Sequence, residues 1–299
     1  MTGATGLVGR RLLRRLIATN VEVRCLVRDP GRMGPERARA QVALGDLGDY
    51  RSFPAAVRGV DTVVHLAASI RDQPQGSIEE LSATATERLV EAAERAGVRR
   101  FVFFSTLSAS TRSPVRFMRA KALAERAVVE SGLEQTVFAP SIIYAPDDPY
   151  LKLLRRMSCL PVMAIPGSGD AQFEPIWAED VVDCVMAVLP GDGEEANSVG
   201  IRYELAGPEI LTHRQIVATA LASFHRRRRI VEIPRPVTRA GLKAVELVQG
   251  SKAFATWDEA ELLEVPLVSR DGIADAQILG VSPRPMAAVL GATSLRGPD

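Results

Sequence analysis

Three glycines stand three residues apart at the front of the chain, in the run TGATGLVG at 2–9. This spacing lets a backbone turn tightly, approach a pyrophosphate without an intervening Cβ, and pack the next helix closely on its strand. The first-turn N–H groups of that helix then face the phosphates. In RRLLRRLIA at 10–18, the apolar residues share one helical face, which predicts that helix. A dinucleotide turn is therefore predicted at Gly3, Gly6 and Gly9, with Thr5 and Leu7 supplying backbone N–H groups.

The turn lacks the strand that normally precedes it. Only Met1 and Thr2 stand before Gly3, whereas the first strand of a doubly wound sheet is central. Its loss would open the middle of the sheet. We therefore expect a truncated first strand, with the natural chain beginning upstream or this sequence being a piece of a longer one.

Downstream, short apolar runs alternate with amphipathic helical stretches. Strands are predicted at 21–27, 41–47, 61–68, 100–106, 136–144 and 203–207. Such alternation predicts an α/β fold with a doubly wound parallel sheet of the Rossmann type. We expect a dinucleotide-binding domain over 1–206, with 145–175 on the substrate side, and a small C-terminal lobe over 207–299.

Composition narrows the classes of function. The 299 residues are 46% hydrophobic. The 37 Lys and Arg nearly balance the 36 Asp and Glu, which predicts no bulk attraction to nucleic acid. Three scattered cysteines have neither disulfide nor metal-ligand spacing, so no metal is expected. With no signal peptide and no long apolar run, we expect a cytoplasmic protein.

Two arginines favour one form of the cofactor. Arg28 follows the strand predicted at 21–27, where an acidic residue would bind the 2′-hydroxyl of NAD and a cation would bind the 2′-phosphate of NADP. Arg10 stands close to the glycine turn. We therefore expect NADP(H) rather than NAD(H), the alternative being that Arg28 is an ordinary solvated arginine.

Other candidate cofactor residues stand at the ends of the next strands. Asp46, followed by Leu47, ends one strand and is placed to accept from the adenine amino group, although it would also serve as an N-cap. Ala67 and Ala68 end another strand, where small side chains allow the cofactor to pass close. His65 lies within that apolar strand, and we interpret it as a hydrogen-bonded core residue.

These pieces resemble the short-chain dehydrogenase/reductase superfamily, specifically its atypical, NAD-dependent epimerase/dehydratase-like members. The matching stretches are TGATGLVG at 2–9, LVRDP at 26–30, GDL at 45–47, VVHLAA at 63–68, LVEAAERAGV at 89–98, RFVFFST at 100–106 and SIIYAPDD at 141–148. FEPIWAEDVV at 173–182 and YELAGPEILT at 203–212 are similar to the branch of the complex I accessory subunit and NmrA-like proteins. The resemblance covers nearly the whole chain and implies an NAD(P)-binding Rossmann fold.

The resemblance also implies where catalysis would occur. In the family a Tyr exchanges the proton, a Lys four residues later lowers the pKa of that Tyr and holds the nicotinamide ribose, and a Ser or Thr orients the carbonyl. Here Lys121 and Thr106 match, whereas Phe117 stands where the Tyr belongs. The family's Asn is replaced by Ser82.

Three explanations of Phe117 remain open. The protein binds NADP(H) without the usual hydride transfer; another group, such as Tyr144, Ser105 or a water, supplies the proton; or the alignment is displaced and the helix face has no catalytic meaning. The first implies an accessory, assembly or redox-sensing protein. The alternative function is an active NADP-dependent reductase or epimerase on a small carbonyl or nucleotide-sugar substrate.

Two further features concern partners. The run HRRRR at 225–229 and the helix predicted at 238–248 fit either a solvated turn and a capping helix, or docking to an anionic lipid surface or an acidic partner. Tyr144 and Trp177 flank the substrate side. They are either core residues or aromatic walls that contact the flat ring of a substrate. Peripheral membrane association is therefore an alternative expectation, while the substrate, any protein partner and the oligomeric state stay open.

Overall fold

The computed structural model describes residues 1–189, 199–250 and 255–291. Its strands are β1 (Arg24–Val27), β2 (Gln41–Leu44), β3 (Thr62–His65), β4 (Arg100–Phe104), β5 (Glu134–Pro140), β6 (Ile143–Tyr144), β7 (Val162–Pro166), β8 (Gln172–Phe173), β9 (Ile176–Trp177), β10 (Ile201–Leu205), β11 (Leu211–Thr212) and β12 (Arg229–Ile233). Its α-helices are α1 (Leu7–Ala18), α2 (Phe53–Val57), α3 (Ala85–Arg95), α4 (Arg116–Val129), α5 (Pro149–Met157), α6 (Ala178–Val188), α7 (His213–Ser223), α8 (Arg235–Gln249), α9 (Trp257–Leu262), α10 (Ala274–Ile278) and α11 (Met286–Leu290). The alternation of strands and helices over the first half confirms the predicted α/β class.

The main sheet is parallel and is joined at its centre by one residue. On one side β2 pairs with β1, and on the other the order is β3, β4, β5, β10. Thr2 bridges Leu26 of β1 and His65 of β3 in parallel. The Leu26 amide donates to the Met1 carbonyl at 2.9 Å, and the Thr2 amide donates to the Val64 carbonyl at 3.0 Å. Thr2 thus fills the position expected of the first strand; the upstream start stays a prediction.

Helices cover both faces of this sheet, as doubly wound topology requires. Alternate residues of β4 enter different layers, because successive side chains of a strand point to opposite faces. Val102 and Phe104 pack with α1 and α6, whereas Phe101 and Phe103 pack with α2, α3 and α4. The face of α1 predicted to be apolar is buried in the first of these layers. The site described below lies where these layers meet the carboxyl ends of the strands.

A third apolar cluster lies beyond the main sheet. It includes α5, β7 and α7, and three two-stranded pairings accompany it: β6 with β9, β8 with β11, and β7 with β12. The stretch 145–175, predicted on the substrate side, contributes both α5 and β7. The division into domains at 206 stays a prediction.

Several predicted boundaries were wrong in detail. The strand predicted at 21–27 begins at Arg24, and the one predicted at 136–144 divides into β5 and β6. A π-helical turn, Glu80–Thr84, directly precedes α3. No helix within the described residues is both long and apolar enough to cross a bilayer.

Candidate functional site

The glycine turn brings backbone closer together than side chains would permit. Gly3 has a φ of 71°, and a Cβ there would lie 2.9 Å from the Ala67 nitrogen. A Cβ at Gly9 would lie 2.0 Å from the Gly3 carbonyl oxygen. The Gly6 amide donates to that same oxygen at 2.9 Å. Position 3 therefore requires glycine because of its positive φ, and position 9 requires glycine because α1 approaches the turn so closely.

An open cleft lies against this turn, at the carboxyl ends of β1, β2 and β3. It is lined by Thr2, Gly3, Ala4, Thr5, Gly6, Leu26, Val27, Arg28, Gly45, Asp46, Leu47, Leu66, Ala67, Ala68, Ser69, Gln73 and Leu81. The N-cap of α1 is Gly6, which makes no side-chain cap, and the first turn contains no acidic residue. That turn therefore offers backbone N–H groups and a positive helix end to an anion in the cleft.

Arg28 lies at the rim of the cleft with two polar neighbours. Its Nε is 3.4 Å from an Asp46 oxygen, and its Nη1 donates to the Gln73 amide oxygen at 3.1 Å. The other Asp46 oxygen accepts from the Gly48 amide at 2.8 Å. Asp46 thus makes a contact within its own turn and faces the cation predicted to bind a 2′-phosphate. The N-cap of the short helix that follows is Asp49, so the alternative prediction of Asp46 as an N-cap was wrong. Gln73, which sequence reasoning missed, follows the same strand as Ala67 and Ala68.

The remaining predicted cofactor residues divide into two groups. Thr5, Leu47, Ala67 and Ala68 line the cleft together with Gly3, Gly6, Arg28 and Asp46. Leu7 and Gly9 belong to the first turn of α1 behind it. Arg10 is not among the lining residues, and its guanidinium lies 3.8 Å from the Asp147 carboxylate. Because α1 turns that side chain toward Asp147, the structure does not bring Arg10 to the place predicted for it.

A chain of hydrogen bonds supports the wall of the cleft. The Ala67 amide donates to the Thr2 hydroxyl at 3.2 Å, and that hydroxyl lies 2.6 Å from Nδ1 of His65. Nε2 of His65 lies 3.0 Å from the Thr86 hydroxyl, which donates to the Ser82 carbonyl at 2.6 Å. Because a carbonyl only accepts, the Thr86 hydrogen is committed, so His65 donates from Nε2 and accepts at Nδ1.

His65 is therefore a hydrogen-bonded core residue, as interpreted from the sequence. It is fully buried. Burial, reinforced by the nearby Lys121 ammonium, lowers the pKa of His65 to about 3. Its imidazole stays neutral at physiological pH and has a structural role.

Lys121 points into the protein. It is 4% exposed, and its Nζ donates to the backbone carbonyl of Phe104, the last residue of β4. The same nitrogen lies 4.9 Å from the centre of the Phe103 ring and 5.8 Å from that of Phe117. Burial lowers the pKa of Lys121 to about 7. The resemblance implied a ribose contact for Lys121, yet neither it nor Phe117 is among the residues that line the cleft.

The hydroxyls after β4 also have hydrogen-bond partners within the protein. Ser105 donates to the Glu125 carboxylate, which also binds Arg202 at 2.8 Å. The Thr106 hydroxyl lies 3.4 Å from the Pro140 carbonyl, and its side chain is buried. Thr106 does not line the cleft. The groups expected to act on a substrate therefore make internal contacts.

Comparison with known proteins decides the family. A family model described as NAD(P)H-binding matches residues 3–156, which include the glycine turn, Arg28, Asp46 and Lys121. The chain belongs to this NAD(P)H-binding family. It is an atypical short-chain dehydrogenase/reductase-like protein, as the motifs had implied.

Two relatives and one solved structure extend the comparison. The chain is 30% identical over 253 residues to the mitochondrial NADH dehydrogenase [ubiquinone] 1 alpha subcomplex subunit 9 of Arabidopsis thaliana, covering 80% of this chain and 60% of that protein. It is 28% identical over 236 residues to the NAD(P)H azoreductase of Xenophilus azovorans, covering 78% and 76%. The NADPH-dependent quinone oxidoreductase of Escherichia coli, solved with NADPH, has a TM-score of 0.73 over 97% of each chain at 21% identity. This last likeness shows the fold alone.

Tyr144 and Trp177, expected on the substrate side of this NAD(P)H-binding fold, pair in register between β6 and β9. The Tyr144 hydroxyl is buried without a hydrogen-bond partner among the described residues, and burial raises the pKa of Tyr144. The Arg284 guanidinium lies 3.8 Å from the centre of the Trp177 ring and binds the buried Asp180 carboxylate at 3.4 Å. Sequence reasoning missed Arg284, because nothing in its local sequence indicates a contact about a hundred residues away.

Proposed function

We propose that this protein binds NADP(H) in the cleft beside the glycine turn and does not transfer hydride by the family's Tyr–Lys route. It acts instead as an accessory, assembly or redox-sensing protein. The pyrophosphate rests on Gly3, Gly6 and the first turn of α1, and the adenine lies near Asp46 and Leu47. Support comes from the NAD(P)H-binding family match and from the cleft at the carboxyl ends of the strands, where open α/β sheets bind ligands.

The observation that carries this proposal is the environment of Lys121. An active site of this family needs an ammonium that reaches the ribose and a phenol beside it. Here the ammonium is buried against the Phe104 carbonyl, and the aromatic ring four residues earlier belongs to Phe117. Neither side chain offers a proton to a substrate carbonyl.

The preference for NADP(H) depends on Arg28. Its side chain is 48% exposed at the mouth of the cleft, so its guanidinium is accessible to a phosphate. Its present neighbours are one carboxylate and one amide, and a 2′-phosphate would add a stronger, bidentate partner. The Asp46 carboxylate opposes this phosphate and also suits a ribose hydroxyl, so the preference is moderate.

An accessory role is supported by the plant relative, a subunit of NADH dehydrogenase. The chain spans about 60% of that relative's length. A scaffold that holds the nucleotide and keeps its reactive groups internal suits such a role, because binding then stabilises the protein without consuming the cofactor.

The azoreductase relative favours a second candidate function. This protein would be an active NADP-dependent reductase, or an epimerase of small carbonyl or nucleotide-sugar substrates, in which a group other than Phe117 supplies the proton. Tyr144 and Ser105 are the side-chain candidates, and a bound water is the third.

One experiment separates these functions. Purified protein is titrated with NADPH and NADH by fluorescence, then incubated with NADPH and a set of quinones, azo dyes, aldehydes and nucleotide sugars. Binding without oxidation of NADPH or conversion of the sugars supports the accessory role, and turnover by the unmodified protein supports the second function. Activity gained only in Phe117→Tyr shows that the scaffold is otherwise competent, whereas failure to bind either nucleotide overturns both proposals.

A further inference from the structure

Helix α8 presents an apolar stripe to solvent. None of its residues is buried. Val237, Leu247 and Val248 are 60%, 89% and 84% exposed. Val237, Ala240, Ala244 and Val248 recur at helical spacing, so they share a face. The other side of the helix, with half-buried Leu242 and Val245, faces the protein.

The strand before α8 also exposes apolar side chains. Val231 of β12 and Val162 of β7 are exposed neighbours on the two-stranded sheet, and Leu160 precedes them. Arg229 pairs directly with Val162, and it lies on the same face of β12 as Val231, since residues two apart in a strand share a face. We call α8, together with the exposed residues of β7 and β12, the basic apolar surface.

Positive charge is concentrated here. Residues 226–243 contain seven Arg and Lys and one acidic residue, in a chain whose net charge is only +1. Four of these arginines make contacts within the protein. Arg226 and Arg228 donate to the Ser158 carbonyl at the end of α5. Arg235 forms an ion pair with Glu264 at 2.6 Å, and the Arg239 guanidinium lies 5.6 Å from the centre of the Trp257 ring. Arg227 and Arg229 are exposed, and neither makes an ion pair with a described residue. Half of the arginine run is thus available to an outside anion.

We propose that the basic apolar surface docks this protein on an anionic lipid bilayer. An interfacial helix of this kind inserts its apolar stripe among the acyl chains while flanking cations contact lipid phosphates. Lys243 is exposed on α8 one turn before Leu247, and the exposed Arg227 and Arg229 precede the helix. A symmetric contact between two copies is disfavoured, because it would bring the same cations together. The proposal is independent of the cofactor site.

The test is co-sedimentation of the full chain with vesicles of equal parts phosphatidylcholine and phosphatidylserine, compared with phosphatidylcholine alone. We expect binding to the mixed vesicles that weakens at high salt, because the headgroup attraction is screened. The double variant Arg227→Ala/Arg229→Ala is expected to bind about 30-fold more weakly. Leu247→Glu/Val248→Glu is expected to weaken binding at least as much, since it places charges in the inserted stripe.

Two controls make the outcome decisive. Ile278→Glu changes an equally apolar residue that is 73% exposed on α10, outside the surface, and is expected to bind vesicles normally. NADPH titration and circular dichroism of every variant report whether it remains folded. The proposal is overturned if the unmodified protein ignores anionic vesicles, or if the variants bind them normally. It is also overturned if Leu247→Glu/Val248→Glu changes the oligomeric state by light scattering while leaving vesicle binding intact.

Discussion

Arg28 and Asp46 form an ion pair across the mouth of the cleft beside the glycine turn, with Nε and Oδ2 3.4 Å apart. Each residue follows a neighbouring parallel strand, which is why the fold brings them together. With the Arg28 side chain 48% exposed, such a pair contributes at most about 1 kcal/mol. A phosphate group can therefore compete with Asp46 for the guanidinium, and we expect the balance between these two residues to set which nucleotide is preferred.

Replacing Arg28 should separate the two nucleotides. We expect Arg28→Ala to weaken NADPH binding about 10- to 100-fold, because hydrogen bonds to charged groups contribute about 1.5–3 kcal/mol. NADH binding should change little, since it has no 2′-phosphate. Fluorescence titration of both nucleotides measures this, and equal losses for the two would contradict a phosphate contact.

The opposite change at Asp46 is the matched test. Asp46→Asn removes a negative charge from the rim while keeping an oxygen that can accept from the Gly48 amide. We expect NADPH affinity to rise a few-fold and the preference over NADH to grow. A fall in NADPH affinity would show that the carboxylate, and not Arg28, dominates recognition.

The close approach at Gly9 predicts a large effect of one methyl group. A Cβ there would lie 2.0 Å from the Gly3 carbonyl oxygen, so Gly9→Ala must displace either α1 or the turn. We expect loss of nucleotide binding and a lower melting temperature. Gly132→Ala is the control, since its Cβ would make an ordinary contact, 3.6 Å from Glu94. Normal NADPH binding by Gly9→Ala would refute the role assigned to the turn.

Lys121 predicts a dependence of stability on pH. Its pKa is about 7 in the folded protein and 10.5 ordinarily, so the unfolded chain binds more protons between these values. The free energy of unfolding should therefore rise with pH across that window, by at most about 1.4 kcal/mol per pH unit from this group. Lys121→Met should flatten the rise. Urea unfolding from neutral to alkaline pH measures it, with the exposed Lys152→Met as control; identical slopes in both variants would argue against a buried ammonium.

We expect Thr2 to contribute to the stability of the fold, although it is only the second residue of the sequence. Thr2→Val leaves the Ala67 amide and Nδ1 of His65 without their partner. An unsatisfied buried polar group costs about 1–3 kcal/mol, so the free energy of unfolding should fall by that order. Thr62→Val makes the same substitution where the hydroxyl only meets the exposed Asp61, and it should cost much less. Equal costs, by urea unfolding, would refute the role of the hydrogen-bond chain.

Local patterns predicted the parts of the fold that depend on local interactions. The apolar spacing at 10–18 predicted α1, and the apolar face of that helix is buried as expected. The pairing of β7 with β12 was not predicted, because its partners are separated by more than sixty residues and one face of the pair is exposed. Short edge pairings of this kind leave little periodicity in the sequence.

The cleft beside the glycine turn was more predictable than the contacts of Lys121. Arg28, Asp46 and Ala67 follow parallel strands, and strand ends meet at one edge whatever the side chains do. The direction of Lys121 had no such signal. A lysine four residues after Phe117 gives the same sequence pattern whether its ammonium faces a cleft or, as here, the Phe104 carbonyl, since packing on Phe103 decides the matter.

Each hydrogen bond in the chain from Ala67 through His65 to Ser82 is donated in the direction of Ser82. Reversing that direction would require several groups to rotate at once. If Nδ1 of His65 gained a proton, it would become a donor facing the Thr2 hydroxyl, which already donates to it. Because the pKa of His65 is lowered to about 3, the imidazole stays neutral near neutral pH. The hydrogen bonds that support the wall of the cleft are therefore retained in mildly acidic solution. Anyone moving this glycine turn into another sheet would need to transplant His65 and Thr86 as well, although both lie behind the surface that a nucleotide would meet.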